Sequence, residues 1–249
     1  KDMMKKMIVW LAVMMYTLSG YAQDANFHIY LCLGQSNMEG NAKVEEQDTV
    51  AVDSRFQVLA AVDCPNLGRT KGNWYKAVPP LARCYTGLTP GDYFGRAMVA
   101  NLPSNVQVGI INVAVGGCKI ELFDKDNYQS YVETSPDWLK NMVKEYGGNP
   151  YARLVEMAKL AQKDGVIKGI LLHQGESNTN DKDWPSKVKG VYDNLLKDLG
   201  LSAADVPLLA GEVVHADQNG ICASMNTIID SLPQVIPTAH VISSAGCPA

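Results

Sequence analysis

Three short polar clusters in this sequence carry residues that could perform acyl transfer: Gly34-Gln35-Ser36-Asn37, Gly116-Gly117 and Gln174-Gly175-Glu176-Ser177-Asn178. Each follows an apolar run that reads as a buried strand: Ile29–Leu33, Val106–Val115 and Ile167–His173. Ser36 offers a hydroxyl nucleophile. Glycine at a strand end lets a backbone N–H approach a ligand closely, and a side-chain amide beside it can add a second donor. Donors fixed where negative charge develops are what an oxyanion hole requires. Singly, these residues are ordinary: a serine after a strand is most often a turn residue, Gly116-Gly117 a bend, Gln174 and Glu176 polar residues at a strand end. Their conjunction at one edge of one sheet is what points to a site.

The elements that must position them follow from the rest of the pattern. Further strand-like runs are Phe56–Val62, Val206–Val214 and His240–Ser244. Tyr93–Leu102 reads as a helix. Tyr151, Leu154, Val155, Ala158 and Ala161 form an apolar stripe at helical spacing. Trp184, Val188, Val191, Tyr192, Leu195 and Leu199 form another, with Pro185 in its first turn and Gly200 as its stop. Asp217–Leu232 is expected to be a further helix, stopped at Pro233. Strands separated by helices imply right-handed βαβ units and a parallel sheet covered on both faces. Ligands then bind outside the carboxyl ends of the strands. Glu45–Pro90 and Lys119–Glu133 read as loop segments near that edge.

Bulk properties exclude several classes. The net charge is −4 and no basic run interleaves with aromatics, so nucleic-acid binding has no electrostatic support. Lys5 and Lys6, the apolar run Met7–Leu18 and Gly20-Tyr21-Ala22 read as a secretory leader ending at Ala22. The run is too short to span a bilayer, and no cysteine follows the cleavage position. The expectation is a leader over residues 1–22 and a secreted or periplasmic mature chain of 227 residues, with no stable membrane insertion after cleavage. None of the six cysteines is spaced as Cys-x-x-Cys, so no zinc site is expected. Cys32 reads as a core residue, and Cys64 with Cys84 is the favoured bridge. The chain starts Lys1-Asp2 before any methionine and stops just after a strand-like run. That pattern reads as a domain over 23–249 that is incomplete at its C-terminal end.

The blocks "GQSNMEG" at 34–40, "NVAVGG" at 112–117 and "HQGESN" at 173–178 resemble the first three sequence blocks of SGNH hydrolases. The similarity is to the sialate O-acetylesterase and acetylxylan esterase branch, carbohydrate esterase family six. "GLTPGDYFGRAM" at 87–98 resembles the segment that precedes the second block there, and the resemblance runs from Phe27 to Ala249. It implies an α/β fold: a three-layer α/β/α sandwich, flavodoxin-like, with a mainly parallel five-stranded sheet. It also implies a serine esterase that removes O-acetyl groups from carbohydrate without metal or organic cofactor. Carried over by position, Ser36 is the nucleophile, and the N–H groups of Ser36 and Gly117 bind the oxyanion. Gln174 is the expected third donor, where most SGNH enzymes have asparagine. Gln35, Asn37, Gly116 and Glu176 support them.

A serine hydroxyl needs a general base. The resemblance assigns it to an Asp-x-x-His motif after the last strand, and no residue of 1–249 matches that motif. His28 begins the first strand, about 15 Å from Ser36 at the usual rise, and His240 likewise begins its strand. His173 and His215 lie at carboxyl ends and are the in-chain alternatives. The expected partner is acetylated carbohydrate, either xylan or a related polysaccharide, or sialic acid, whose carboxylate calls for a cation from Arg55, Arg69, Arg83 or Lys119. A reading of another class is a carbohydrate-binding protein on the same fold without catalysis.

Overall fold

In the computed structural model, the described residues are 23–247; the leader expected over 1–22 lies outside them. Seven strands form one sheet: β1 (Asp24–Gly34), β2 (Phe56–Leu59), β3 (Trp74–Lys76), β4 (Gln107–Ala114), β5 (Gly165–His173), β6 (Leu208–Gly211) and β7 (Ala239–Ile242). Their order is β3-β2-β4-β1-β5-β6-β7, and all pairs are parallel except β2 with β3. The sheet thus has seven strands rather than five. One of the additional strands is the three-residue edge strand β3, too short to show a period and embedded in the segment read as loop.

The helices are α1 (Ser36–Glu39), α2 (Glu46–Thr49), α3 (Pro90–Asn101), α4 (Tyr128–Thr134), α5 (Asp137–Glu145), α6 (Pro150–Ala161), α7 (Trp184–Leu199), α8 (Asn226–Ile229) and α9 (Leu232–Val235). β1 feeds both faces. Ile29, Leu31 and Leu33 enter the larger core with residues of α5, α6, α7 and α8, while Tyr30 and Cys32 enter the smaller core with Val99 of α3. Every residue of the α7 stripe is buried, as are Tyr151, Leu154, Ala158 and Ala161 of α6. α3 begins at Pro90, earlier than its apolar pattern, because Thr89 and Asp92 form a reciprocal cap: Thr89 Oγ1 accepts from Gly91 N (3.0 Å) and Thr89 N donates to Asp92 Oδ2 (2.8 Å).

Two expectations fail on local grounds. Asp217–Leu232 is not one helix. It is broken into 3-10 turns at Ala216–Gln218 and Ala223–Met225 followed by α8, and Pro233 lies inside the first turn of α9, where a missing N–H costs nothing. Asn219 in the left-handed conformation and Gly220 interrupt it. Lys119–Glu133 is not a loop throughout, since it holds a 3-10 turn at Ile120–Phe123 and most of α4. Cys64 and Cys84 are bonded, and Cys32 is fully buried. Among the described residues, no helix is long and apolar enough to cross a membrane.

The sheet closes most tightly at the end of β1. A Cβ on Gly34 would lie 2.1 Å from the His173 carbonyl oxygen of β5 and 2.8 Å from its carbon. Backbone on backbone cannot yield there, so Gly34→Ala must part β1 from β5. The expected result is a loss of more than about 3 kcal/mol of stability, read by urea unfolding; a variant that unfolds at the wild-type midpoint would contradict the packing described.

Burial pushes the Asp92 carboxyl up to about 6, against the opposing pull of its bond to Thr89 and the charge of Arg96. A carboxyl raised in the folded state binds its proton more tightly folded than unfolded. Stability from this group is therefore greatest below the ordinary carboxylate pKa and falls as pH rises to about 6. Asp92→Asn, which keeps the cap acceptor, removes that dependence. The stability difference should shift in the variant's favour by on the order of 3 kcal/mol between pH 4 and pH 7. Paired urea titrations at the two pH values check this, and a difference that does not move would exclude it.

Candidate active site

β1, β4 and β5 bring the three polar clusters together at their carboxyl ends. The joins are backbone bonds. Val115 N donates to Gly34 O (3.1 Å) and Gln35 N donates to His173 O (3.1 Å). Gln35 is buried, and its side-chain oxygen accepts from Gln174 Nε2 (3.1 Å), Gly175 N (3.4 Å) and Ser177 N (3.2 Å). The second residue of the first cluster thus holds the whole third cluster. Asn112, buried in β4, donates through Nδ2 to Met38 O (2.8 Å) and fixes the end of α1.

Ser36 is the first residue of α1, half-buried, and its hydroxyl makes no hydrogen bond among the described residues. A Cβ on Gly116 would lie 3.9 Å from Ser36 Cβ, an ordinary contact, and 2.8 Å from Glu39 Oε2, so the β4 end lies next to the serine and to the Glu39 carboxylate. The N–H groups of Ser36, Gly116 and Gly117 have no acceptor among the described residues. Gly117 takes φ +69° and is exposed; its carbonyl accepts from Ser177 Oγ (3.0 Å). Asn37 Nδ2 donates to Glu176 Oε1 (2.9 Å), which pins the residue after Ser36 to the third cluster.

Gln174 is not placed as the expected oxyanion donor. It is 1% exposed, its Nε2 donates to Gln35 Oε1, Asn178 Oδ1 (2.7 Å) and Cys118 O (3.3 Å), and its Oε1 accepts from Trp184 Nε1. With Asn178 it forms the buried frame under the site rather than its lining. Reading Ile167–His173 as a continuous apolar strand could not show this, because a residue just past a strand end obeys no fixed face.

Neither in-chain histidine is bonded to Ser36. His173 Nε2 contacts Glu212 O (3.2 Å), and its Nδ1 is buried without a partner, 4.0 Å from Glu176 Oε1. His215 Nε2 meets Glu212 Oε2 at 2.7 Å, an oxygen that also accepts from Ser243 Oγ (2.6 Å) and Ser244 N (2.8 Å). Burial raises the Glu212 pKa, but the bonds from Ser243, His215 and Ser244 outweigh it and hold the carboxyl below its ordinary value. The bond to Glu212 in turn raises His215. Asp217 does not contact His215; Glu212, three residues earlier, does.

Sequence reasoning missed Glu39 as well. Its Oε1 accepts from Arg83 Nε (3.1 Å), and Arg83 Nη1 reaches Glu145 of α5 (2.5 Å), so one guanidinium ties the nucleophile's helix to α5. The spacing of Ser36 and Glu39, one helical turn, was the available signal. The other expected cations are occupied or peripheral. Arg55 binds Asp53 (2.8 Å) and the carbonyls of Val99 and Pro103; Arg69 binds the carbonyls of Val78 and Pro80. Lys119 is exposed. A cavity of about 240 Å³ opens beside Asn37 and Glu176, walled by Val213, Val214 and Asn219–Cys222. Among the described residues, no cluster of three or more His, Cys, Asp or Glu side chains could hold a metal.

The geometry agrees with several solved structures. A protein of Arabidopsis thaliana shares 20% identity over 91% of this chain and 88% of its own, with TM-score 0.66. NanS shares 15% over 92% of this chain and 80% of its own, with TM-score 0.62. XAC1771 from Xanthomonas citri, described as a carbohydrate acetylesterase, shares 17% over 89% of this chain, with TM-score 0.60, and this chain spans about half of its length (51%). At these identities the likeness establishes the α/β fold. Residues 26–249 match the family model SASA, "carbohydrate esterase, sialic acid-specific acetylesterase". A serine on a short helix at the central strand's carboxyl end, with unpaired N–H groups beside it, is thus set in a chain that belongs to the SASA carbohydrate esterase family.

Proposed function

We propose that this chain is a serine carbohydrate O-acetylesterase with Ser36 as nucleophile. The observation that carries the reading is Ser36 at the carboxyl end of the central strand, with Gly116 beside it and the N–H groups of Ser36, Gly116 and Gly117 without an acceptor among the described residues. The hydroxyl attacks the acetyl carbonyl and the developing oxyanion takes the N–H groups of Ser36 and Gly117. Collapse expels the sugar hydroxyl and leaves acetyl-Ser36. Water then hydrolyses that ester. Gln174 acts from beneath by fixing Gln35, Asn178 by fixing Gln174, and Glu176 by fixing Asn37. The base in this reading is the histidine of the Asp-x-x-His motif that follows the last strand in the family resembled. His215, with its Nε2 committed to Glu212, supports the loop beside the cavity.

The substrate we favour is an uncharged acetylated polysaccharide such as xylan. Glu176 stands beside the nucleophile's neighbour Asn37, and Arg55, Arg69 and Arg83 are each committed to internal partners. The sialate reading is favoured by the family's own description and by exposed Lys119. We further expect secretion or periplasmic location, from the leader over 1–22.

Acetate release from acetylated xylan should exceed that from O-acetylated sialic acid, and the reverse order would select the sialate reading. Ser36→Ala should lower kcat by about 10⁴-fold or more; a variant that keeps its activity would remove Ser36 as nucleophile. A chain of residues 23–249 should turn over far more slowly than one extended by the Asp-x-x-His motif. Equal rates, lost together on His215→Asn, would instead make His215 the base.

A further inference from the structure

We infer that Trp138 is the platform on which the substrate's sugar ring stacks, with an uncharged pyranosyl unit laying its C–H face on the indole. The inference rests on the esterase reading above and adds to it the residue that selects the sugar. Trp138 is 53% exposed although it is among the largest apolar side chains in the protein. Its place is set by the oxyanion loop: a Cβ on Gly117 would lie 2.6 Å from Trp138 Cη2 and 3.2 Å from Cζ3. The ring edge therefore abuts Gly117, one residue beyond Gly116, where a built Cβ would lie 3.9 Å from Ser36 Cβ. Its indole N–H has no partner among the described residues, which leaves a donor for a ring hydroxyl. An indole combines broad apolar area with one polar edge, matching a pyranose that has an apolar face and a polar rim.

The platform is rigid. Trp138 stands in the first turn of α5, whose Leu139 and Val143 are buried in the larger core. The same helix ends at Glu145, which Arg83 ties to Glu39 on the helix of Ser36. The helix that carries the stacking surface and the helix that carries the nucleophile are thus joined through one guanidinium. Charge points the same way. Glu176, held on Asn37 next to the serine, would repel an acidic sugar, whereas a neutral ring needs only a flat apolar contact and a donor. Ile221, 98% exposed, lines the cavity beside Asn37 and Glu176.

The test separates binding from turnover. Acetylated xylotetraose is titrated calorimetrically into the Ser36→Ala protein, then into Ser36→Ala with Trp138→Ala and Ser36→Ala with Trp138→Phe. The expected result is saturable binding by the parent, at least tenfold weaker binding with alanine, and affinity within about threefold of the parent with phenylalanine. Binding by the alanine variant as tight as the parent's, an equal loss with alanine and phenylalanine, or no saturable binding by the parent would each overturn the proposal. Failure of the esterase reading is seen elsewhere, as absence of acetate release by a chain that has Ser36 intact and is extended by the Asp-x-x-His motif, and does not enter this measurement.

Discussion

The structure depends on one close crossing, where Gly34 at the end of β1 passes the carbonyl of His173 at the end of β5 with no room for a methyl group. That contact sets the depth to which the central strand is inserted. It lets Gln35 N reach His173 O and Gly34 O receive Val115 N, so three strand ends are bolted to one another by main-chain bonds. Everything chemical at this edge is then placed within one or two residues of a bolt. Ser36 follows the crossing by two positions, Gly116 follows the β4 bolt by one and Gly175 follows the β5 bolt by two.

Beneath the edge lies a layer of buried amides. Gln35, Gln174 and Asn178 exchange hydrogen bonds and take in the Trp184 indole N–H and the Ile120 N–H. Such a network is stable only when nearly all its members are satisfied, because an unpaired amide in low dielectric is costly. It therefore behaves as a unit, and the serine inherits its rigidity. The ion pairs above it work at longer range: Arg83 joins α1 to α5, and the Cys64–Cys84 bond anchors the chain immediately after Arg83.

Much of this was legible in the sequence, for reasons that differ by element. β1, β4 and β5 announced themselves because a strand buried on both faces must be apolar throughout, and α6 and α7 because each buries one stripe. The three blocks were legible because close backbone approach demands glycine, and turning a chain out of a strand demands small polar residues. What escaped was whatever depends on contacts between distant segments. β3 has three residues and exists as a strand through β2. The 216–235 segment carries a helical composition but is broken at Asn219 and Gly220. Gln174 was assigned to the cleft by its neighbours' chemistry, yet Trp184 and Gln35, 10 and 139 positions away, draw its amide inward. Trp138 gave no signal at all, since nothing local marks a tryptophan that will meet a glycine 21 positions earlier.

The strand order has a consequence for how the protein comes into being. β1 is the first strand made, but both of its neighbours, β4 and β5, come later in the chain. The nucleophile is synthesised early, and the third cluster that holds it is present only when the residues near 178 have left the ribosome. Until then β1 is an apolar strand with two open edges, and pairings at such sequence separation form slowly. The nascent chain must keep that strand from other chains for the length of more than a hundred added residues, which makes the interval between β1 and β5 the period of greatest exposure to aggregation.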